Sequence, residues 1–214
     1  MSVHTPIQNW GIRMTMHDPI AQPSAAGRWQ TLKVLTAGTH ETLDKRIMAA
    51  RPFENQERYA LFLVIQHRFH QAIDTYYDDA TLNALIEDLS RRKRLDLIAQ
   101  DLADLGKMLP SPSEPADAVD PAEKLGWIYV AEGSNLGAAF LLKAAAAIGL
   151  NAAHGARHLA AHPDGRGKHW RSFTTVLDSL AFSPEQDDLV CQGAVKAFQY
   201  VHRLTDETYD AMAG

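Results

Sequence analysis

Length, composition and charge describe one ordinary domain and argue against several classes of partner. The 214 residues, with 46% hydrophobic and 22% charged content, suffice for a single domain with a complete core. A formal net charge of −5 provides no basic excess for nucleic-acid phosphates or anionic lipid, so we expect no nucleic-acid and no membrane partner. The single Cys191 cannot form an internal disulfide, and the N-terminus lacks the apolar stretch of a secretory signal. These features predict a cytoplasmic protein.

The first 27 residues differ in pattern from the rest of the chain. Residues 1–27 mix proline, glycine, serine and histidine without a period, which predicts a flexible N-terminal extension. Residues 28–214 show helical spacing of apolar positions and no sustained alternation, which predicts one all-α domain, a bundle of about seven helices. The predicted helices cover approximately residues 28–48, 53–77, 82–89, 94–105, 121–148, 168–180 and 183–212, with a short segment at 152–161.

Local signals mark where these helices begin and end. Thr81 is the predicted N-terminal cap of the third helix, and Gly106 and Gly149 are the predicted C-terminal residues of the fourth and fifth. Four prolines in residues 107–121 predict a loop that separates helices without separating domains. The most apolar window, residues 136–150, is shorter than the roughly 20 residues that span a bilayer, so it predicts a buried helix.

Two glycines interrupt the most apolar helix. Gly133 and Gly137 lie four positions apart, and each glycine in a helix interior costs roughly 1 kcal/mol relative to alanine. One explanation is close packing of another helix against a face of small residues. The other is a flat ligand that lies against bare main chain, with the glycines allowing a bend. The spacing alone does not choose between them.

Three stretches together carry a resemblance to a known family. THETLDK at 39–45, GWIYVAEGSNLGAAFLLK at 126–143 and GARHLAAHPDGRGKHWRSF at 155–173 resemble the bacterial haem oxygenases, particularly the branch found beside bacterial phytochromes. The resemblance extends from about Leu32 to the last helix. It implies that haem, both substrate and cofactor, lies between a proximal helix that supplies a histidine ligand and a distal helix kinked at two glycines.

The resemblance also implies roles for individual residues. It makes His40 the iron ligand, and a neutral imidazole suits this chemistry better than a thiolate, which promotes O–O cleavage. Asp44, one turn later, either orients the imidazole or is a solvated acid. Haem propionates need cations or hydroxyl donors, for which the resemblance provides Lys33, Tyr129 and Arg171. The distal residues that it implies are Gly133, Asn135, Gly137 and His158, with Phe140 packed near the macrocycle.

Several of these roles have a simpler alternative. His40 taken alone could be an ordinary surface or core histidine, and it is the motif around it together with the distal glycines that favours the ligand. His158 could be a histidine satisfied by local hydrogen bonds, and Phe140 could fill the core. Lys33 and Arg171 could be ordinary exposed cations, and Tyr129 an ordinary amphipathic side chain.

The implied reaction is the oxygen-dependent conversion of haem to biliverdin, iron and CO. It requires an external electron donor, a reductase or a ferredoxin, and the resemblance suggests a bacterial phytochrome as biliverdin acceptor. A subgroup of the family replaces the lysine seven residues before the ligand and carries another lysine late on the distal helix. This chain has Lys33 at the first position and Ala144 at the second, which predicts the α isomer.

Other classes of function are less well supported. A non-catalytic haem carrier or sensor on the same scaffold is the main alternative, although retention of the four distal residues favours the enzyme. The repeated His154, His158 and His162 lack the Glu-x-x-His or HExxH patterns of metal sites. A thiaminase-like enzyme would need a catalytic cysteine, and Cys191 has no evident base beside it.

Overall fold

The computed structural model describes residues 27–112 and 114–211, which form seven α-helices and three short 3₁₀ turns. Among these residues there is no β-strand, and the predicted all-α class is confirmed. The predicted N-terminal extension, residues 1–27, lies outside the described residues except for Gly27. The helices are α1 (Arg28–Ala49), α2 (Gln56–Ile73), α3 (Ala80–Leu85), α4 (Leu95–Asp104), α5 (Pro121–Ala146), α6 (Arg166–Ser179) and α7 (Pro184–Asp210).

The helix ends follow from local chemistry, with one correction. Gly106 and Gly149 follow α4 and α5 with φ of 64° and 84°, as predicted, because glycine adopts the left-handed conformation without steric cost. Thr81 does not cap α3. The Asp79 carboxylate does so, accepting hydrogen bonds from the main-chain nitrogens of Thr81 and Leu82 at 2.9 and 3.1 Å. Thr81 already lies in the first turn, where its own N–H needs an acceptor.

The second and third helices are shorter than predicted. The last turn of the second is replaced by a tight 3₁₀ turn at Asp74–Asp78, and a second such turn at Leu89–Arg92 follows the third. Apolar residues continue at helical spacing through both turns, and this explains why the pattern did not reveal the change. The third turn, Arg157–Leu159, falls in the segment predicted at 152–161.

Helix α5 crosses α7 with the two main chains in direct contact. A Cβ atom on Gly126 would overlap the Val190 carbonyl oxygen, and one on Gly193 would overlap the Glu123 carbonyl oxygen. Asp120 caps the start of α5 by accepting from the Ala122 N–H at 2.8 Å. The N-terminal half of α5 is therefore held tightly within the bundle.

Two groups of buried apolar residues form the core. The larger lies among α1, α2, α5, α6 and α7, with Trp127 of α5 stacked on Phe69 and edge-on to Tyr200. The smaller joins α2 and α4 to the C-terminal half of α5, around Phe62, Leu102 and other apolar side chains. No helix among the described residues is long and apolar enough to cross a membrane.

Candidate functional site

Helices α1 and α5 meet at Thr36 and Tyr129. Both residues are buried, and burial raises the pKa of Tyr129 to about 12, while a hydrogen bond with the Thr36 hydroxyl opposes the rise. His40 follows Thr36 by one helical turn, and Gly133 follows Tyr129 by one turn, about 6 Å of helix in each case. The predicted ligand and the first distal glycine therefore each lie one turn from the contact between their helices.

The His40 imidazole is exposed and lies near a carboxylate. Its Nδ1 lies 3.2 Å from Asp44 Oδ2, and its ring edge contacts Phe198 with 5.9 Å between the centroids. The side chain is 60% exposed. When Nδ1–H donates to a carboxylate, the lone pair is on Nε2, the arrangement that favours metal ligation. Asp44 is itself 62% exposed, so it is a solvated acid that also lies within reach of the imidazole, and both interpretations stay open.

The glycine segment, which we define as residues 133–137, has open space beside it. A Cβ atom on Gly133 would lie 3.6 Å from the Trp170 ring, an ordinary contact, and one on Gly137 would meet no described atom within 4 Å. Close helix packing therefore does not explain Gly137. Leu136 is 46% exposed and Phe140 is 73% exposed, so the interpretation of Phe140 as a core residue is wrong. The segment presents bare main chain flanked by apolar side chains.

His158 is buried beside Asp101 of α4. The His158 main-chain N–H donates to Asp101 Oδ2 at 3.0 Å, and its Nδ1 lies 2.8 Å from the same oxygen. Its Nε2 is buried and has no partner among the described residues. Burial lowers the pKa of His158, while Asp101 opposes the change. Local hydrogen bonds thus satisfy Nδ1 alone, and the neutral ring keeps a buried lone pair on Nε2.

Further polar groups near His158 were not singled out from the sequence. Arg94 donates to the His158 carbonyl, and burial lowers the pKa of His70 to about 3, with the Arg94 and His158 charges acting in the same direction. A signal for Asp101 exists, because Ile98, Asp101 and Leu102 share the buried face of α4. An acidic residue on the buried, apolar face of a helix is unusual and indicates a buried partner.

A buried ion pair fixes α5 immediately before the glycine segment. The Arg92 guanidinium lies 3.0 Å from the Glu132 carboxylate, which also accepts from the Tyr77 hydroxyl at 3.2 Å. Arg92 also donates to Ser172 of α6 at 2.8 Å. Burial raises the pKa of Glu132, while Arg92 opposes the rise. Helix α5 is thus connected to α6 and to the turn at Leu89–Arg92.

The remaining predicted residues, Lys33, Asn135 and Arg171, lie on α1, α5 and α6. Lys33 is exposed on α1, with its ammonium group 5.9 Å from the centre of the Trp29 ring, and Arg171 is exposed on α6. Asn135 is half-buried, and its carbonyl oxygen accepts a hydrogen bond from Arg166 at 3.0 Å. Of the predicted residues, Tyr129 contacts α1 through Thr36, whereas the ring contact of His40 is with Phe198 of α7.

The helical fold, the imidazole and the bare main chain agree with a haem-degrading class of enzyme, and comparison with known proteins shows this class. The family model described as heme oxygenase matches residues 28–207, and the chain belongs to this family. Heme oxygenase PigA of Pseudomonas aeruginosa is 38% identical over 184 residues, which cover 85% of this chain and 93% of that protein. The predicted resemblance to bacterial haem oxygenases is confirmed.

Solved structures agree with this assignment. The NO- and CO-bound heme oxygenase from Neisseria meningitidis matches with a TM-score of 0.79 at 42% identity, over 87% of this chain and 94% of that one. Heme oxygenase from Leptospira interrogans shares the fold at 17% identity, with a TM-score of 0.69 over 85% of this chain and 100% of that one. This chain is therefore an enzyme that degrades haem to biliverdin, with haem and O₂ as substrates.

Proposed function

We propose that haem lies between His40 of α1 and the glycine segment of α5, and that the enzyme opens it to α-biliverdin with release of iron and CO. The observation that carries this proposal is the open space beside Gly137, next to the exposed Leu136 and Phe140. A glycine in a helix interior is unfavourable, and no described neighbour requires one at position 137. A flat apolar ligand accounts both for the open space and for a glycine at a position where no neighbour requires one.

The residues present fit haem. His40 provides an imidazole whose Nδ1 is engaged by Asp44, and this leaves Nε2 for the iron. The exposed apolar side chains beside the glycine segment match the apolar face of a porphyrin. When bound, haem supplies both the iron at which oxygen is activated and the meso carbon that is oxidised.

The protein's own groups then orient the substrate and manage protons. Lys33, Tyr129 and Arg171 bind the propionates, because cations and hydroxyl donors stabilise carboxylates. Absence of side chains at Gly133 and Gly137 leaves room for oxygen, and exposed main chain and ordered water donate hydrogen bonds there. His158 keeps a lone pair on Nε2 and so can accept a hydrogen bond from water on the distal side. The helix containing the glycines is proposed to bend at them.

The proposed isomer depends on two positions. Lys33 lies two turns before His40 on the same face of α1, while Ala144 has no charge that could attract a propionate elsewhere. This pair supports the usual seating of haem, which leads to α-biliverdin. Chromatography of the product tests the seating, and a β or δ isomer as the main product would contradict it.

Turnover under air tests the activity itself. The purified protein is titrated with haem and then reduced with ascorbate, or with a reductase or ferredoxin as proposed donor, while its absorption spectrum is followed. We expect the Soret band to disappear as biliverdin forms. A stable ferrous-oxy spectrum would instead support the alternative of a haem carrier or sensor, and no affinity for haem would exclude both. A bacterial phytochrome as biliverdin acceptor rests on the resemblance and stays a prediction.

A further inference from the structure

The Arg166 guanidinium joins two segments that are distant in sequence. Its Nη1 donates to the carbonyl oxygen of Asn135, inside the glycine segment, at 3.0 Å. Its Nη2 donates to the carbonyl oxygen of Leu159, the residue after His158. One side chain at the first position of α6 therefore connects the α5 main chain to the turn that carries His158.

The glycine segment is anchored at both ends, by the buried Glu132 before it and the buried Ala138 after it, but it has few lateral contacts of its own. Its side chains at 133 and 137 are absent, Leu136 is exposed, and the space beside Gly137 is open. The Trp170 ring contacts the segment at Gly133, and Trp170 lies one turn after Arg166 on α6. Arg166 and Trp170 of α6 therefore support the glycine segment itself, between the Arg92–Glu132 ion pair before it and the buried Ala138 after it.

The chemistry of Arg166 suits a geometric role. A guanidinium is planar, always charged, and presents its N–H donors in a fixed fork, so it can hold two carbonyl oxygens in one relative position. A carbonyl oxygen has two lone pairs and can accept this bond without leaving its own helix. Gly165, with φ of 89°, precedes Arg166 and allows the sharp entry into α6 that places the guanidinium here.

We propose that Arg166 is a positioning residue that holds the glycine segment and the His158 turn as one wall of the distal side. It contacts both through the main chain and acts on the substrate only through them. The structural part of this proposal depends on the described contacts alone, whereas its effect on turnover rests on the proposed function. The two parts are therefore tested separately.

Hydrogen–deuterium exchange of the haem-free protein tests the structural part. Arg166→Met removes both donors and keeps most of the apolar stem. We expect amides in residues 133–139 and 157–160 to exchange about tenfold faster, the effect of losing one charge-assisted hydrogen bond. In Arg166→Lys a single ammonium nitrogen replaces the guanidinium fork and can reach only one of the two carbonyl oxygens. We therefore expect a smaller increase in exchange, confined to one of the two segments. Unchanged exchange in folded Arg166→Met protein would overturn the proposal.

A matched control separates geometry from charge. Lys168 lies two residues further along α6, is 69% exposed, and forms an ion pair with Asp164. Lys168→Met removes the same charge from the same helix, and we expect wild-type exchange in both segments. Acceleration equal to that in Arg166→Met would assign the effect to charge and would overturn the positioning role.

Measurements on the haem complex test the consequence. In Arg166→Met we expect His40 to remain the iron ligand, because α1 is untouched. We expect a broadened C–O stretching band of the ferrous-CO complex and turnover lowered at least about tenfold, because the distal side is no longer held in one geometry. Wild-type turnover and an unaltered C–O band in this variant would overturn the effect on the distal side. If the wild-type protein itself does not degrade haem, the proposed function fails, while the exchange result still decides the role of Arg166.

Discussion

At the scale of single residues, His40 combines an exposed ring with a carboxylate 3.2 Å from its Nδ1. We expect His40→Ala to weaken haem binding and to lower turnover at least about a hundredfold, because the iron loses its protein ligand. Added imidazole is expected to restore part of the activity. Spectra and turnover with and without imidazole provide the measurement.

His154 is the histidine control for this prediction. It is 54% exposed, pairs with Asp104, and lies outside α1, after the end of α5. His154→Ala is expected to bind haem and turn it over as the wild type does. Undiminished activity of His40→Ala without imidazole would refute the ligand assignment.

Two substitutions of Gly137 test stability and activity separately. Because no described atom lies within 4 Å of a Cβ placed there, Gly137→Ala is expected to stabilise the haem-free protein by up to about 1 kcal/mol. Gly137→Phe would fill the space proposed for oxygen and haem, so we expect a folded protein with strongly reduced turnover. Urea unfolding and single-turnover spectra measure the two effects.

Gly38 provides the matched glycine. It lies in α1 with equally open surroundings, and Gly38→Ala is expected to stabilise the protein without changing turnover. Should Gly137→Phe degrade haem at the wild-type rate, the distal assignment of the glycine segment would be misplaced.

At the scale of helices, the α5–α7 crossing depends on Gly126 and Gly193. Alanine at either position would place a Cβ atom within the main chain of the opposite helix, so the two helices would have to separate. We expect Gly193→Ala to destabilise the fold by about 1–3 kcal/mol, in the range of overpacked cores. Urea unfolding gives the value. A free energy of unfolding equal to that of Gly38→Ala would contradict the close crossing.

At the scale of the whole molecule, stability should depend on pH through buried histidines. Burial lowers the pKa of His70 to about 3 and that of His169 to about 4, and it also lowers that of His158. In the unfolded chain these rings titrate near pH 6.5, so below that pH the unfolded state binds more protons than the folded state. The stability that they provide is complete above pH 7 and is lost as the pH falls from about 6.5 toward 4.

The expected slope is up to about 1.4 kcal/mol per pH unit for each of these histidines. Urea unfolding at several pH values between 7.5 and 4.5 measures it. We expect replacement of the buried His70 by Gln to reduce the slope by up to about 1.4 kcal/mol per pH unit, because one fewer ring is held neutral. An unfolding free energy that does not vary over this range would show that the rings are not held neutral.

The sequence predicted the helices well and their contacts poorly. Apolar periodicity is a property of one segment, so it located α1, α5, α6 and α7 to within a few residues. Whether a glycine faces open space or another main chain depends on the partner helix. For that reason the close packing considered for Gly133 and Gly137 occurs instead at Gly126 and Gly193. The family motifs indicated His40 and His158, and the acid on the apolar face of α4 is a local signal for Asp101. Arg166 acts through a long-range contact that no local pattern contains.

The exposed surface beside the glycine segment of α5 has a consequence for how fast the protein is degraded in a cell. A ligand that binds this surface in the folded state and not in the unfolded state stabilises the fold. At 100 times its dissociation constant it adds about 2.7 kcal/mol to the free energy of unfolding. Resistance to protease digestion is therefore expected to rise on addition of haem and to fall as biliverdin leaves. Enzyme abundance would then follow the supply of the molecule that the enzyme destroys.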